Sequence, residues 1–350
     1  MQVLDEKLNS EIENEIAPTV IGWQGVRCIL PPEWNLTGFS MDRESGYIRA
    51  DAPGNSALTV QIRWTQANKP EQKTLYHTLL PVIRFALKRP AALEAKTDLR
   101  GSLEKMLKDT ARQAKKSKKE FESNIKPEKA EGPNDERTAI NFTWTGEGRG
   151  QGKIWHCSHC KRILMAQVVG LQKDGGAMSA VAAQLFSTLR DHAEDGYDLW
   201  ALYDLEMEVP EDFRLESQKL LSGYLHLKFL RGAEQIVIDR WGLANMTLKK
   251  FTLAEWFRSN AIVSVERLSE TSYSDDEEGH KFAAWSGKLT LFGLFRALRD
   301  GRGGLRNFPT RYTGGAWTCE ESNKIYSVQV LHSAKNKDLW AEVVNRCACH

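Results

Sequence analysis

A chain of 350 residues, 41% apolar and 27% charged, is too long for one ordinary core and suits two soluble globular domains of roughly 150 residues each. Its formal net charge of +2 supplies no bulk attraction to nucleic acid, and it contains no run of about 18 apolar residues able to cross a bilayer as a helix. Six cysteines in this length do not make a disulfide-dense secreted scaffold, so reduced thiols and a cytoplasmic location are expected, with no membrane partner.

Residues 1–18 are acidic and polar, lack the basic and apolar blocks of a secretory signal, and read as a tail. A first strand is expected at about Val20–Leu30. It stops at Pro31, which has no N–H to donate to a ladder. Two β-rich runs follow, Tyr47–Ala50 and Ala57–Trp64, separated by Pro53, Gly54 and Asn55, which is a hairpin signal. Gln72–Lys88 carries Leu75, Leu79, Val82, Ile83 and Leu87 at helical spacing, with Pro81 as a kink. Leu99–Phe121 is a second helical stretch, and it dissolves into polar Lys126–Arg137. Thr138–Trp144 returns to strand, and Met178–Asp191 is an amphipathic closing helix.

The second half repeats this order. Tyr224–Phe229 and Gln235–Trp241 form the hairpin, Thr252–Ser259 the helix with Thr252 as N-cap, and Ala261–Leu268 and Lys281–Thr290 two strands around the acidic loop Ser274–Gly279. Asp338–Arg346 is the closing helix. The clearest duplication is Trp155–Val168, WHCSHCKRILMAQV, against Trp317–Val330, WTCEESNKIYSVQV. These share Trp, Cys, Ile, Gln and Val without a gap, and each supplies a last strand. Gly46-Tyr47 with Arg63-Trp64 matches Gly223-Tyr224 with Arg240-Trp241, and Pro31, Trp34 and Leu36 match Pro210, Phe213 and Leu215. The chain therefore reads as a tail, a first repeat at 19–200 with a basic helical excursion at about 66–136, and a second repeat at 201–350. Strands joined by hairpins, with helices packed on them, make each repeat an antiparallel sheet of the α+β class.

The Pro-x-x-aromatic turns Pro31–Trp34 and Pro210–Phe213, placed after the first strand of each repeat, resemble those of Mog1/PsbP-like domains. The resemblance covers both repeats in outline. It implies an antiparallel sheet between helices and a non-enzymatic binding or assembly module. It carries no catalytic residue over, and the cysteines and the basic excursion fall outside its pattern.

Three groups of residues can carry chemistry. Cys157-Ser-His-Cys160 has the spacing of a zinc knuckle, which needs further soft ligands. A helix running back along its strand would return His192 to Cys157 and Cys160, with His156 or His159 nearby. It would likewise return Cys347, Cys349 and His350 to Cys319. A site shared by Cys157, Cys160, Cys347 and Cys349 is the other arrangement. The competing reading makes Cys157 and Cys319 small buried core residues. Redox use of the C-x-x-C is disfavoured, because that motif usually lowers its thiol pKa at a helix N-terminus and here it lies between strands. The second group is the basic run Lys105, Lys108, Arg112, Lys115, Lys116, Lys118 and Lys119. It reads as a phosphate- or partner-binding arm or as a solvated helix face. The third is Arg296, Arg299, Arg302, Arg306 and Arg311 around Gly301, Gly303 and Gly304, where guanidinium groups can hold anions. No Ser/His/Asp arrangement, phosphate loop or dinucleotide fingerprint is present. The expected function is a non-enzymatic interaction module within a larger protein complex. A nucleic-acid-associated protein using 105–119 and 296–311 is the alternative, and a zinc-binding or redox protein is the third reading.

Overall fold

The computed structural model of the chain describes residues 17–40, 45–66, 99–127, 138–276, 281–290 and 309–348. The expected helix at Gln72–Lys88, nearly all of the tail, Arg296, Arg299, Arg302, Arg306, Cys349 and His350 lie outside these residues. The chain divides into two units, Met1–His192 and Ala193–His350. Within each unit the ladders among the described strands are antiparallel.

The first unit begins with β1 (Thr19–Trp23) and β2 (Val26–Leu30), a hairpin and not the single strand expected at Val20–Leu30. Gln24 and Gly25 turn it with φ of 53° and 81°, the left-handed pair that matches strand twist in a two-residue loop. β3 (Asn35–Phe39), β4 (Ser45–Asp51), β5 (Thr59–Gln66), α1 (Leu99–Lys116), β6 (Glu122–Pro127), β7 (Thr138–Thr145), β8 (Gly148–His156), β9 (Arg162–Leu171) and α2 (Gly175–Thr188) complete it. The seven-stranded sheet runs β3-β4-β5-β9-β8-β7-β6.

Helix α1 forms because Leu99, Leu103 and Leu107 recur every four residues and bury one stripe. They pack with Ile140, Phe142, Ile154 and Ile163 on one sheet face. A Leu→Ala change in that stripe costs about 2–5 kcal/mol. Lys118 stops the helix in the left-handed region (φ 56°), and the Lys119 N–H returns to the Ala114 carbonyl at 2.9 Å. α1 and β6 therefore belong to the body of the first unit and not to an excursion from it; the helix expected over Leu99–Phe121 ends at Lys116, and Lys126 and Pro127, expected in a polar stretch, close β6. The other sheet face is covered by α2, through Met178, Val181, Ala182 and Leu185, which also packs on β2.

The second unit repeats the plan. β10 (Tyr197–Leu202) and β11 (Leu205–Pro210) make the opening hairpin. β12 (Arg214–Leu221), β13 (Tyr224–Arg231), β14 (Glu234–Gly242), α3 (Ala244–Thr247), α4 (Leu253–Asn260), β15 (Leu268–Asp276), β16 (Phe282–Leu289), β17 (Arg311–Cys319), β18 (Lys324–His332), α5 (Leu339–Val344) and β19 (Cys347–Ala348) follow. The sheet order β12-β13-β14-β18-β17-β16-β15 mirrors that of the first unit. Thr252 caps α4 as expected, its hydroxyl accepting from the Glu255 N–H at 3.2 Å in a capping box. Ala261–Leu268 is not a strand. It contains the 3-10 turn Val265–Arg267, and β15 begins only at Leu268. Ser274–Asp276, expected in a loop, close that strand.

Two sequence alignments fare differently. Trp155 faces Leu164 and Trp317 faces Tyr326, so the Trp-x-Cys blocks superpose through the ladders. Each block is the end of one strand, a turn and the start of the next, not a single strand. Accordingly Thr145–Lys153 lies mostly in β7 and β8. The Arg-Trp pairs do not superpose. Trp64 lies opposite Leu164, whereas Arg240 lies opposite Tyr326 and Trp241 opposite Ile325. Arg240 is thus the structural counterpart of Trp64. The slip of one residue turns the two tryptophans to opposite faces. Trp241 meets Trp256 on the α4 face, and Trp64 shares the Leu164 face with α2.

Candidate metal centre

The turn between β8 and β9 is Cys157-Ser158-His159-Cys160-Lys161. It is closed by Cys157 N–H to the Arg162 carbonyl (2.9 Å) and Lys161 N–H to the Cys157 carbonyl (3.0 Å). Lys161 takes a φ of 57° to re-enter the ladder. The chain returns to this turn after α2. Arg190 makes an antiparallel bridge with Arg27 of β2, with N–H to carbonyl distances of 2.8 and 3.0 Å. That bridge delivers Asp191 and His192 to the two cysteines. Arg162 ties the same corner, its guanidinium donating to the Gln24 carbonyl (2.7 Å) and the Asp191 carbonyl (3.2 Å).

Cys157, Cys160, Asp191 and His192 each offer a donor atom within 4.8 Å of the others, and no other group of this kind occurs among the described residues. Asp191 is fully buried. Its Oδ2 accepts from the Trp155 indole at 2.7 Å and its Oδ1 lies 2.7 Å from His192 Nδ1. The same Nδ1 lies 3.6 Å from Cys157 Sγ. A tetrahedral ion with a sulfur at about 2.3 Å and an imidazole nitrogen at about 2.0–2.1 Å separates those ligands by about 3.6 Å. The imidazole uses one nitrogen toward both Cys157 and Asp191. A Cys-His-Asp catalytic relay would need the two on opposite ring nitrogens. The His159 ring stacks on His192 with centroids 4.4 Å apart, shielding the imidazole without entering the donor set.

Electrostatics favour a thiolate here. The Cys160 thiol donates to Cys157 and draws its pKa down to about 6; burial opposes this, and the backbone N–H groups of Cys160 and His159 assist it. Cys160 is raised in turn, first by that same hydrogen bond and then by burial. A low thiol pKa therefore arises between strands without a helix N-terminus, because the tight turn brings the Cys160 thiol to the Cys157 sulfur as a donor, with the turn's own N–H groups assisting. Cys28, in β2, shows the opposite environment: burial pushes it up to about 12, the behaviour of an inert core thiol.

The other candidates are placed as follows. Cys319 is buried at the position of Cys157 and accepts from the Ser322 N–H at 3.5 Å. Ser322 stands where Cys160 does in the first copy, so the second turn has no second thiol. Cys347 lies on β19 opposite Met207 of β11. With Cys349 and His350 outside the described residues, neither the second site nor a shared one is assembled among those described. His156 ends β8 outside the donor set. Lys105, Lys108, Arg112, Lys115, Lys116, Lys118 and Lys119 are all exposed on or just after α1. Carboxylates already face three of them: Glu104 meets Lys108 at 3.9 Å, Asp109 meets Arg112 at 3.2 Å and Glu147 meets Lys119 at 2.6 Å. Arg311 opens β17 opposite His332 and Lys288. Asp191 was missed in the sequence because a carboxylate beside a histidine has no motif spacing to either cysteine.

The first unit is thus an α+β body with a four-donor cluster of two cysteines, an imidazole and a carboxylate at one corner. Sulfur and imidazole donors suit zinc and other borderline-soft metals and disfavour calcium or magnesium. No protein-family model matches the chain, and no curated protein matches it.

Proposed function

We propose that the chain is a non-enzymatic binding module of two tandem α+β units whose first unit is pinned by a structural zinc ion. The observation that carries this is the convergence of Cys157, Cys160, His192 and Asp191. Four protein donors fill a tetrahedral zinc and leave no position for a substrate or a reactive water. The ion would cross-link the β8–β9 turn to the chain leaving α2, two segments about 30 residues apart in sequence. The Mog1/PsbP-like reading is part of the same proposal. Its support is the antiparallel sheet with helices on both faces in each unit, and the buried Trp34 and Phe213 that follow Pro31 and Pro210.

The binding role draws support from the second unit. Leu221, Leu243, Met246, Phe251 and Tyr203 are exposed large apolar residues. Leu221, Leu243, Met246 and Tyr203 share one end of the unit, where Gly242 N–H bonds Gly223 O, Ala244 N–H bonds Asn323 O and Lys324 holds Asp204 at 2.9 Å. A nucleic-acid role has less behind it, since the basic side of α1 is partly neutralised by its own carboxylates.

The test is the metal content of the full chain, purified reduced and without chelator and read by elemental analysis. About one zinc per chain is expected, lost in His192→Ala and kept in Cys319→Ser. Folded protein that neither carries nor takes up zinc refutes the reading.

A further inference from the structure

We propose that Cys157 and Cys160 form a redox-responsive clasp: a hydroperoxide joins the two sulfurs in a disulfide and ejects the metal. This rests on the zinc reading and adds a regulator to the same site. The two residues sit three apart in one closed turn, with their sulfurs within 4.8 Å of each other. A short move within the turn brings them to bonding distance. On the metal both sulfurs are thiolates, so access decides the order: Cys160 is partly exposed and Cys157 is buried, and an oxidant reaches Cys160 first while Cys157 waits behind it as the resolving sulfur. The fold itself does not require the pair. The second copy closes the corresponding Cys319–Asn323 turn with Ser322 in place of Cys160, and its Cys319 stays buried. A second thiol has therefore been placed only where it shares donors with Asp191 and His192.

The chemistry balances with a hydroperoxide as the sole oxidant. The Cys160 sulfur attacks the peroxide, an S–O bond forms, the O–O bond breaks, and the departing oxygen leaves as water or an alcohol after taking a proton. The Cys157 sulfur then attacks the sulfenic sulfur of Cys160. An S–S bond forms, the S–O bond breaks, and hydroxide leaves as water with a second proton. Two electrons pass from the sulfurs to the peroxide. Disulfide sulfurs are poor ligands, so the ion keeps only His192 and Asp191 and departs. The Trp155–Asp191 and Arg162–Asp191 hydrogen bonds remain, so the corner loosens without unfolding. A thiol reductant with zinc restores it.

The experiment uses the reduced, zinc-loaded full chain, titrated with hydrogen peroxide in the presence of a chromophoric zinc indicator. Peptide mass mapping follows in parallel. The expected result is about one zinc released per disulfide formed, a loss of two hydrogens in the peptide holding Cys157 and Cys160, and reversal by dithiothreitol plus zinc. The double variant Cys347→Ser/Cys349→Ser should behave like the native chain. The inference is overturned if zinc stays bound through the titration, if it leaves while the two sulfurs go only to sulfinic acid, or if the disulfide maps to other cysteines. A reduced chain that holds no zinc from the start overturns the zinc reading as well, which separates the two failures.

Discussion

Replacing Cys160 by serine isolates the contribution of the metal. The substitution is conservative for the backbone, because Ser322 occupies the same place in the second copy of the turn. Without metal, Cys160→Ser exchanges the thiol that donates to Cys157 for a hydroxyl that can donate in its place, and loses a weak Sγ contact to the Asp191 carbonyl at 3.7 Å. The metal-free native and variant chains should therefore melt within about 3 °C of each other, for a difference under about 1 kcal/mol. With free zinc held 100-fold above its dissociation constant, the native first unit gains about 2.7 kcal/mol. For a unit of its size, Met1–His192, each kcal/mol moves the midpoint by about 2–4 °C, so a rise of about 5–11 °C is expected. Cys160→Ser keeps three donors and should show little of that rise at the same zinc concentration. Calorimetry with and without added zinc reads both chains, and the transition of the second unit serves as an internal control. Equal zinc-dependent rises in the two chains, or no rise in the native chain, would refute the four-donor assignment.

Two further outcomes follow from packing and charge. A Cβ built on Gly152 would lie 2.2 Å from the Phe142 ring, which is buried and cannot withdraw. Gly152→Ala should therefore cost about 1–3 kcal/mol in urea unfolding, but much less in a Phe142→Ala background, where the methyl enters space left by the ring; strict additivity would contradict this register. In the second unit, burial acts to raise the pKa of Glu234, yet the Ser333 N–H, the Asn336 amide and Arg231 outweigh it and hold it below the ordinary value. The stability it contributes is present above the unfolded glutamate pKa of about 4.3 and is lost as pH falls through the lower folded value. Glu234→Gln should destabilise at neutral pH and flatten the acid limb of the second transition. An unchanged acid limb would show that the carboxylate is not held in this way.

Much of the architecture is legible along the chain. The β4–β5 and β13–β14 hairpins, the Thr252 cap, the leucine stripe of α1 and the repeated Trp-x-Cys block all rest on local rules of turn chemistry, capping and period. The first strand was misjudged because Gln24 in a left-handed turn carries no strong sequence signal beside Gly25. β3, β6 and β12 were missed because edge strands bury little and so carry little apolar alternation.

The sequence by itself determined that one α+β unit is written twice, since hydrophobic period and turn residues act over a few positions. It also placed Cys157 and Cys160 together, because three residues in a turn are close in any fold. Only the tertiary structure decided the rest. The register that sends Trp64 and Trp241 to opposite faces depends on pairing with β9 and β18, and a shift of one residue reverses a side chain whatever its identity. The donor set depends on the Arg27–Arg190 bridge, which brings Asp191 and His192 to the thiols at the ends of β8 and β9. That contact is long-range in sequence, and no spacing rule encodes it.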